Sequence, residues 1–78
     1  MHELAAAQDV LRAALQAAEE QGAQRITAIE LKVGRLYAVE QLQDLIAIVA
    51  KGTIAEGARL DVEAVPGSAI QVASIDIE

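Results

Sequence analysis

The sequence predicts a small α/β (α+β) domain in which two helices pack on one face of a small, mainly antiparallel three-stranded sheet. Two segments place apolar residues three and four positions apart, as one buried face of a helix requires. Three other segments alternate apolar with polar residues, which is the period of a strand with one buried face. Glycines and one Pro-Gly-Ser turn separate the segments. The predicted order is therefore helix, strand, helix, strand, strand.

The first helix is predicted from Glu3 to Gln21. Alanine, the best helix former, is frequent in this segment. Gly22 follows it and suits the position after a helix, because glycine adopts the left-handed conformation without penalty. The predicted buried stripe consists of Leu4, Ala7, Leu11, Ala14, Leu15 and Ala18.

The first strand is predicted from Arg25 to Val33, and Gly34 ends it. One predicted face carries Thr27, Ile29, Leu31 and Val33, and the other carries Ile26, Ala28, Glu30 and Lys32. After a connection that includes Tyr37, the second helix is predicted from about Val39 to Lys51, with Gly52 as its stop. Its predicted buried residues are Leu42, Leu45, Ile46 and Val49.

The segment from Thr53 to Gly57 has the pattern of a capping box. The Thr53 hydroxyl is expected to accept a hydrogen bond from the Glu56 amide, and the Glu56 carboxylate to accept one from the Thr53 amide. This segment is therefore predicted to form about one closed turn.

The last two strands are predicted around Leu60–Ala64 and Ile70–Ile77, with Pro66-Gly67-Ser68 as the turn between them. The second of these runs changes phase, because Ile70 and Val72 alternate in one phase and Ile75 and Ile77 in the other. A β-bulge near Ala73-Ser74 would return all four to one face. The alternative is a strand whose two halves face different cores.

Composition limits the possible functions. The 78 residues predict a single domain, 1–78. Twelve acidic and six basic residues give a net charge of −6, which opposes nucleic-acid binding and suits contact with a cation or a basic protein surface. The lack of cysteine excludes disulfides and thiolate metal sites. No signal peptide or membrane-length apolar run is found, so a cytoplasmic protein is predicted.

The first three residues, Met1-His2-Glu3, carry the clearest chemistry. His2 is the only histidine, and it lies next to the terminal amine of Met1. A terminal amine, the deprotonated amides that follow it and one imidazole can together surround a metal in one plane, which suits Ni(II) or Cu(II) and suits Zn(II) poorly. An enzyme is not predicted, because no nucleophile–base set or glycine-rich phosphate loop is present.

Each candidate ligand also has a structural alternative. A histidine at position 2 is most often part of a frayed terminus. Glu3 and Glu40 each begin a predicted helix, where a carboxylate is stabilised by the helix dipole. For Glu3, the amide nitrogen is therefore a better candidate ligand than the side chain.

Five segments stand out along the chain: MHEL at 1–4, IELKVGRL at 29–36, KGTIAEGARL at 51–60, VPG at 65–67 and the final stretch 70–78. They closely resemble the HypA/HybF nickel metallochaperones, in the family's order and over essentially the whole chain. The resemblance implies an α/β nickel-binding domain that serves hydrogenase maturation. Its partners would be a hydrogenase-maturation GTPase and the hydrogenase large subunit.

The resemblance also implies a ligand set for Ni(II). It comprises the His2 imidazole and the backbone nitrogens of His2 and Glu3, with the terminal amine of Met1 as a further candidate. A carboxylate completes the site in one family member, and Glu40 stands at the matching position, one methylene longer than the aspartate it would replace.

One departure from the family is large. Its members carry a zinc lobe with paired Cys-x-x-Cys motifs between the two final strands, whereas here only Ser68 separates Gly67 from Ala69. No zinc is therefore expected, since one imidazole and no thiolate do not make a tetrahedral site. The alternative function is a zinc-less, non-catalytic α/β interaction module without metal delivery. A short, strained turn would favour a homodimer formed by domain swapping of the last strand.

Overall fold

A computed structural model describes residues 2–78 and confirms the predicted fold class and element order. The elements are α1 (Glu3–Glu20), β1 (Ile26–Gly34), α2 (Val39–Val49), β2 (Arg59–Val65) and β3 (Ile70–Ile77). Each helix ends slightly earlier than predicted. No helix among the described residues is long and apolar enough to cross a membrane.

The sheet is mixed, so the expectation of a mainly antiparallel sheet needs correction. Its order is β2-β1-β3, with β1 in the centre. β2 pairs with β1 in parallel, and β3 pairs with β1 antiparallel. The parallel pairing follows from α2, because a helix between two strands returns the chain to the starting end of the sheet. Periodicity reports which residues face the core and carries no information on strand direction.

The core lies between the helices and one face of the sheet. It contains the buried side chains of β1 together with residues of both helices and of the turn before β2. Alanines make up much of the contribution of α1 and have no exposed surface, which lets the helix approach the sheet closely. The fully buried larger side chains are Ile26, Ile29, Leu31, Val33, Leu42 and Ile46.

Two details of the predicted faces are wrong. Leu4 is 50% exposed, and Val10 is buried in its place, because the buried stripe of α1 runs through Ala7, Val10 and Ala14. Ile26 faces the core rather than the opposite side. The cause is a register irregularity between Ile26 and Ala28, which adds one residue to β1 and reverses the facing of Ile26.

The predicted bulge in the last strand is confirmed. The pairing of β1 with β3 shifts by one residue where Glu30 pairs with Ser74 and Leu31 with Val72, which leaves Ala73 as the extra residue. The four apolar residues of β3 then lie opposite four core residues of β1: Ile70 opposite Val33, Val72 opposite Leu31, Ile75 opposite Ile29, and Ile77 opposite Ile26. Ile77 keeps 38% of its surface exposed.

The predicted capping box forms with its bonds displaced by one residue. The Glu56 carboxylate accepts from the Gly52 amide at 3.0 Å, and the Thr53 hydroxyl accepts from the Ala55 amide at 3.1 Å. The same hydroxyl donates to the carbonyl of Ala50 at 2.7 Å. Thr53 thus joins the end of α2 to the turn that leads into β2.

The turn at 66–68 connects two strands that are not neighbours in the sheet. It crosses the end of β1, where the Gly34 amide donates to the Ala69 carbonyl at 2.7 Å. Leu36 also donates its amide to the Gly67 carbonyl at 3.4 Å. The crossing therefore holds the turn against the loop that leads from β1 to α2.

Candidate metal centre at the first turn of α1

His2 is the N-cap residue of α1. Its carbonyl accepts the first helical hydrogen bond, from Ala6 at 3.0 Å, while its side chain makes no capping bond. The residue is exposed. The imidazole of His2 is therefore accessible to a metal ion and is not needed to close the helix.

The backbone at Glu3 is also compatible with metal binding. Glu3 is the first residue of α1, and the amides of a helix's first turn have no partner within the helix. Replacing the proton of this amide by a metal breaks no helical hydrogen bond. The positive end of the helix dipole also stabilises the negative charge that a deprotonated amide acquires.

The Glu3 side chain has a different environment. Only 9% of the residue is exposed, and its Oε2 accepts a hydrogen bond from the Ala38 amide at 3.4 Å. Ala38 is the N-cap residue of α2, and its side chain makes no capping hydrogen bond. The Glu3 carboxylate thus lies at the N-terminal ends of two helices, both of which favour a negative charge.

Glu40 lies in the first turn of α2, two residues beyond Ala38, and is exposed. α1 and α2 pack against each other, so the first turns that carry His2 and Glu40 belong to neighbouring helices. Within 2–78, however, no group of three or more histidine, aspartate or glutamate side chains is placed to hold a metal ion. The predicted ligand Met1 lies outside the described residues.

An open groove lies beside His2, between the first turns of the two helices. Its lining also includes Leu4 and Gln8 of α1 with Gln41 and Leu45 of α2. Polar amides and apolar side chains therefore line the groove beside the imidazole, and Glu40 precedes the lining residue Gln41 in the chain.

Sequence reasoning missed the contact between Glu3 and Ala38. The signal was present in the spacing, because Glu3 precedes Ala7, Val10 and Ala14 by the same steps of four and three that define the buried stripe. A carboxylate in phase with a buried stripe predicts a buried acceptor, and the donor then has to come from a neighbouring element.

Comparison with known proteins gives a consistent family. The family model described as "Hydrogenase/urease nickel incorporation, metallochaperone, hypA" matches residues 1–70. The chain is also similar to several proteins named hydrogenase maturation factor HypA. The one from Archaeoglobus fulgidus is 42% identical over 64 residues, which cover 80% of this chain and 58% of the relative. The Chlorobaculum tepidum protein is 45% identical over 65 residues, covering 81% of this chain and 58% of the relative.

The protein from Methanopyrus kandleri is 40% identical over 65 residues, and the match covers 81% of this chain and 46% of the relative. The chain thus spans about half of the length of these relatives. The matched segment contains α1 to β2 and the first three residues, which carry the candidate ligands. On this evidence the chain belongs to the HypA family of hydrogenase/urease nickel-incorporation metallochaperones.

Proposed function

We propose that the protein binds Ni(II) at Met1-His2-Glu3 and passes it to the hydrogenase-maturation machinery. The ligands are the His2 imidazole and the His2 backbone nitrogen, and the further nitrogen candidates are the Glu3 backbone nitrogen and the terminal amine of Met1. The observation that carries the proposal is the position of His2, an exposed N-cap whose imidazole makes no capping bond and lies next to the free amides of a helix's first turn.

Charge balance supports this ligand set. A deprotonated amide offsets part of the charge of Ni(II), while an amine or an imidazole binds as a neutral group. The amide charge lies at the positive end of α1. Planar nitrogen ligation suits Ni(II) and suits Zn(II) poorly.

Glu40 is the alternative fourth ligand. Its carboxylate is exposed in the first turn of α2, beside the helix that carries His2. As the fourth ligand, the Glu40 carboxylate oxygen gives a weaker ligand field than the amine nitrogen of Met1 does. The two arrangements therefore predict different nickel spectra.

The experiment is a Ni(II) titration of the untagged protein, followed by visible absorption and magnetic susceptibility. A diamagnetic, square-planar band is expected in the wild type and is absent in His2→Ala. Gln8→Ala is the matched control, because Gln8 lines the same groove and supplies no proposed ligand. If wild type and His2→Ala titrate alike, nickel does not bind at this terminus.

The proposed partners are those of hydrogenase maturation: a GTPase that receives the nickel and the hydrogenase large subunit that finally holds it, all in the cytoplasm. The chain would act as a single nickel-binding-type domain, 1–78, with no zinc lobe between Gly67 and Ala69. It would act as a carrier of metal and not as an enzyme. Metal analysis of purified protein, with nickel present and zinc below stoichiometric amounts, is the expected result.

A second candidate function rests on the crossing of β1 by the turn between β2 and β3. β3 is an edge strand that reaches its place only through this short connection. Under this alternative the protein is a zinc-less interaction module that forms a domain-swapped homodimer and delivers no metal. A dimer whose stability is unaffected by nickel, in a protein that gives no square-planar band, would favour it.

A further inference from the structure

Glu3 is the one charged side chain that is buried in the described part of the chain. We infer that Glu3 is a positioning residue. Its carboxylate holds the first turn of α1 against the N-terminus of α2 and so sets the place of His2 relative to Glu40. The side chain therefore acts as an anchor in metal binding and does not ligate nickel. The structural part of this inference stands alone, and its metal-binding consequence rests on the proposed nickel site.

The contacts of Glu3 explain how a carboxylate is buried without a cation. Among the ion pairs of residues 2–78, none involves Glu3. Its stabilisation comes instead from the Ala38 amide and from the positive ends of α1 and α2. The Ala38 amide is one of the N–H groups at the start of α2 that find no acceptor within the helix, and Glu3 supplies one from α1.

The anchored residues lie next to the candidate ligands along the chain. His2 precedes Glu3 directly, and Glu40 follows Ala38 by two residues. A hydrogen bond between Glu3 and Ala38 therefore restricts the separation of His2 and Glu40, although the two ligands belong to different helices. Without it, the first turn of α1 is free to fray, as helix ends commonly do.

The anchor also reaches the crossing at the end of β1. Ala38 follows Tyr37, whose amide donates to the Gly34 carbonyl at 3.0 Å, and Gly34 in turn donates to Ala69. Glu3 thus links the first turn of α1 to the loop between β1 and α2, and that loop is hydrogen-bonded to the β2–β3 connection. The first turn of α1 is thereby connected through hydrogen bonds to the end of the sheet.

Using the Glu3 carboxylate as a nickel ligand would require this bond to break. The Ala38 amide would then lose its acceptor in a partly buried position, which is unfavourable. The carboxylate would also have to leave a position that two helix ends stabilise. The backbone nitrogen of Glu3 makes no hydrogen bond within the helix, so it can bind nickel while the side chain stays in place.

The test compares Glu3→Gln with Glu3→Ala. Glutamine keeps an oxygen that accepts from Ala38 but is a poor nickel ligand, whereas alanine removes the acceptor. In the metal-free protein, hydrogen exchange of the Ala38 amide should rise about tenfold in Glu3→Ala and change by less than about threefold in Glu3→Gln. Glu20→Ala is the control for charge, because Glu20 is an exposed acid at the other end of α1.

The nickel titration supplies the second measurement. Glu3→Gln should keep the square-planar band and bind Ni(II) within about threefold of wild type, while Glu3→Ala should bind about tenfold more weakly. Loss of the band in Glu3→Gln with Ala38 still protected would make the carboxylate a ligand and overturn the inference. Unchanged Ala38 exchange in Glu3→Ala would overturn it as well.

Two further outcomes keep the inference separate from the proposed function. If Glu3→Ala does not fold, Glu3→Gln alone decides, since retained protection and retained binding support the anchor and their loss refutes it. If wild type binds no nickel but the exchange results hold, the anchor stands and the nickel site is wrong.

Discussion

A Cβ atom placed on Gly34 would lie 2.7 Å from the carbonyl carbon of Gly67, because the connection from β2 to β3 passes directly over the end of β1. The Cα of Ser68 would be 2.9 Å away. Both contacts are to backbone, which cannot rotate aside as a side chain can. Gly34 is thus required by close approach, whereas the Gly67 opposite it is favoured by a φ of 97°.

Gly34→Ala should destabilise the protein by about 2–3 kcal/mol, because the new methyl group overlaps the crossing backbone. Chemical denaturation monitored by circular dichroism measures the change. Inserting Gly-Ser-Gly-Ser between Gly67 and Ser68 should relieve the overlap and reduce the cost of Gly34→Ala in that background. Gly57→Ala is the control, since its φ of 77° imposes strain without any steric contact, and its cost should be equal in both backgrounds.

The same insertion should change the oligomeric state. If the short crossing favours exchange of β3 between two copies, a longer turn lets the strand return to its own β1 more easily. The dimer fraction measured by light scattering should then be lower in the insertion variant than in wild type at equal concentration. A higher dimer fraction with the longer turn would show that strain in the crossing does not drive association.

Leu42→Ala should cost roughly 2–5 kcal/mol, since Leu42 is fully buried and its truncation leaves a cavity in the hydrophobic core. A loss of that size approaches the whole stability of a domain this small, so a large population of unfolded protein is expected at room temperature. Ile48→Ala removes as many carbon atoms from a residue of the same helix that is 58% exposed, and it should change stability by less than about 0.5 kcal/mol. Equal effects of the two substitutions would contradict the packing of α2.

Thr53→Val should cost about 1 kcal/mol, because valine has the shape of threonine and lacks the hydroxyl that bonds Ala50 and Ala55. Thr53→Ser keeps the hydroxyl and should retain most of the stability. Thermal unfolding of the three proteins provides the measurement. If serine and valine were equally destabilising, the methyl group of Thr53, rather than its two hydrogen bonds, would be the stabilising feature.

A Gly-Ser extension before Met1 should weaken Ni(II) binding by at least about tenfold, because it moves the terminal amine out of reach of the His2 imidazole. Proton release on nickel binding should fall in parallel, since the His2 amide between the amine and the imidazole no longer loses its proton to the metal. An extended protein that binds nickel as wild type does would favour Glu40 as the fourth ligand. Glu40→Gln in the extended background should then abolish binding.

Much of the fold could be predicted because periodicity and turn residues report local structure. The alternation of β3 even located the bulge at Ala73, since only an extra residue returns Ile75 to the phase of Val72. The parallel partner of β1 could not be obtained in this way, because a strand's period is the same in either direction. Leu4 was misplaced because Leu4 and Glu3 both fit the helical spacing before Ala7, and the spacing alone does not show that Glu3 takes the buried position.

The candidate site was predictable in composition and less so in arrangement. The ligand types proposed at His2 and Glu3 follow from the order of residues along the chain. The separation of roles at Glu3, with the backbone facing the terminus and the carboxylate facing Ala38, depends on a neighbour 35 positions away. The spacing of the buried stripe predicts that Glu3 is buried, but the identity of its donor is set by the packing of the two helices.

The central position of β1 has a consequence for the order of folding. β1 is joined to β2 by a local helical crossover. Its other edge pairs with β3, which is more distant in sequence, and Ile26 there pairs with Ile77. Contacts this distant in sequence form slowly, because a long loop must close before they contribute. Until β3 arrives, β1 offers an open row of amides and carbonyls beside its apolar face. In that state, a strand of another chain can pair with the free edge of β1. The rate at which β3 pairs with β1 therefore decides whether the chain completes its own sheet or exchanges β3 with a second copy.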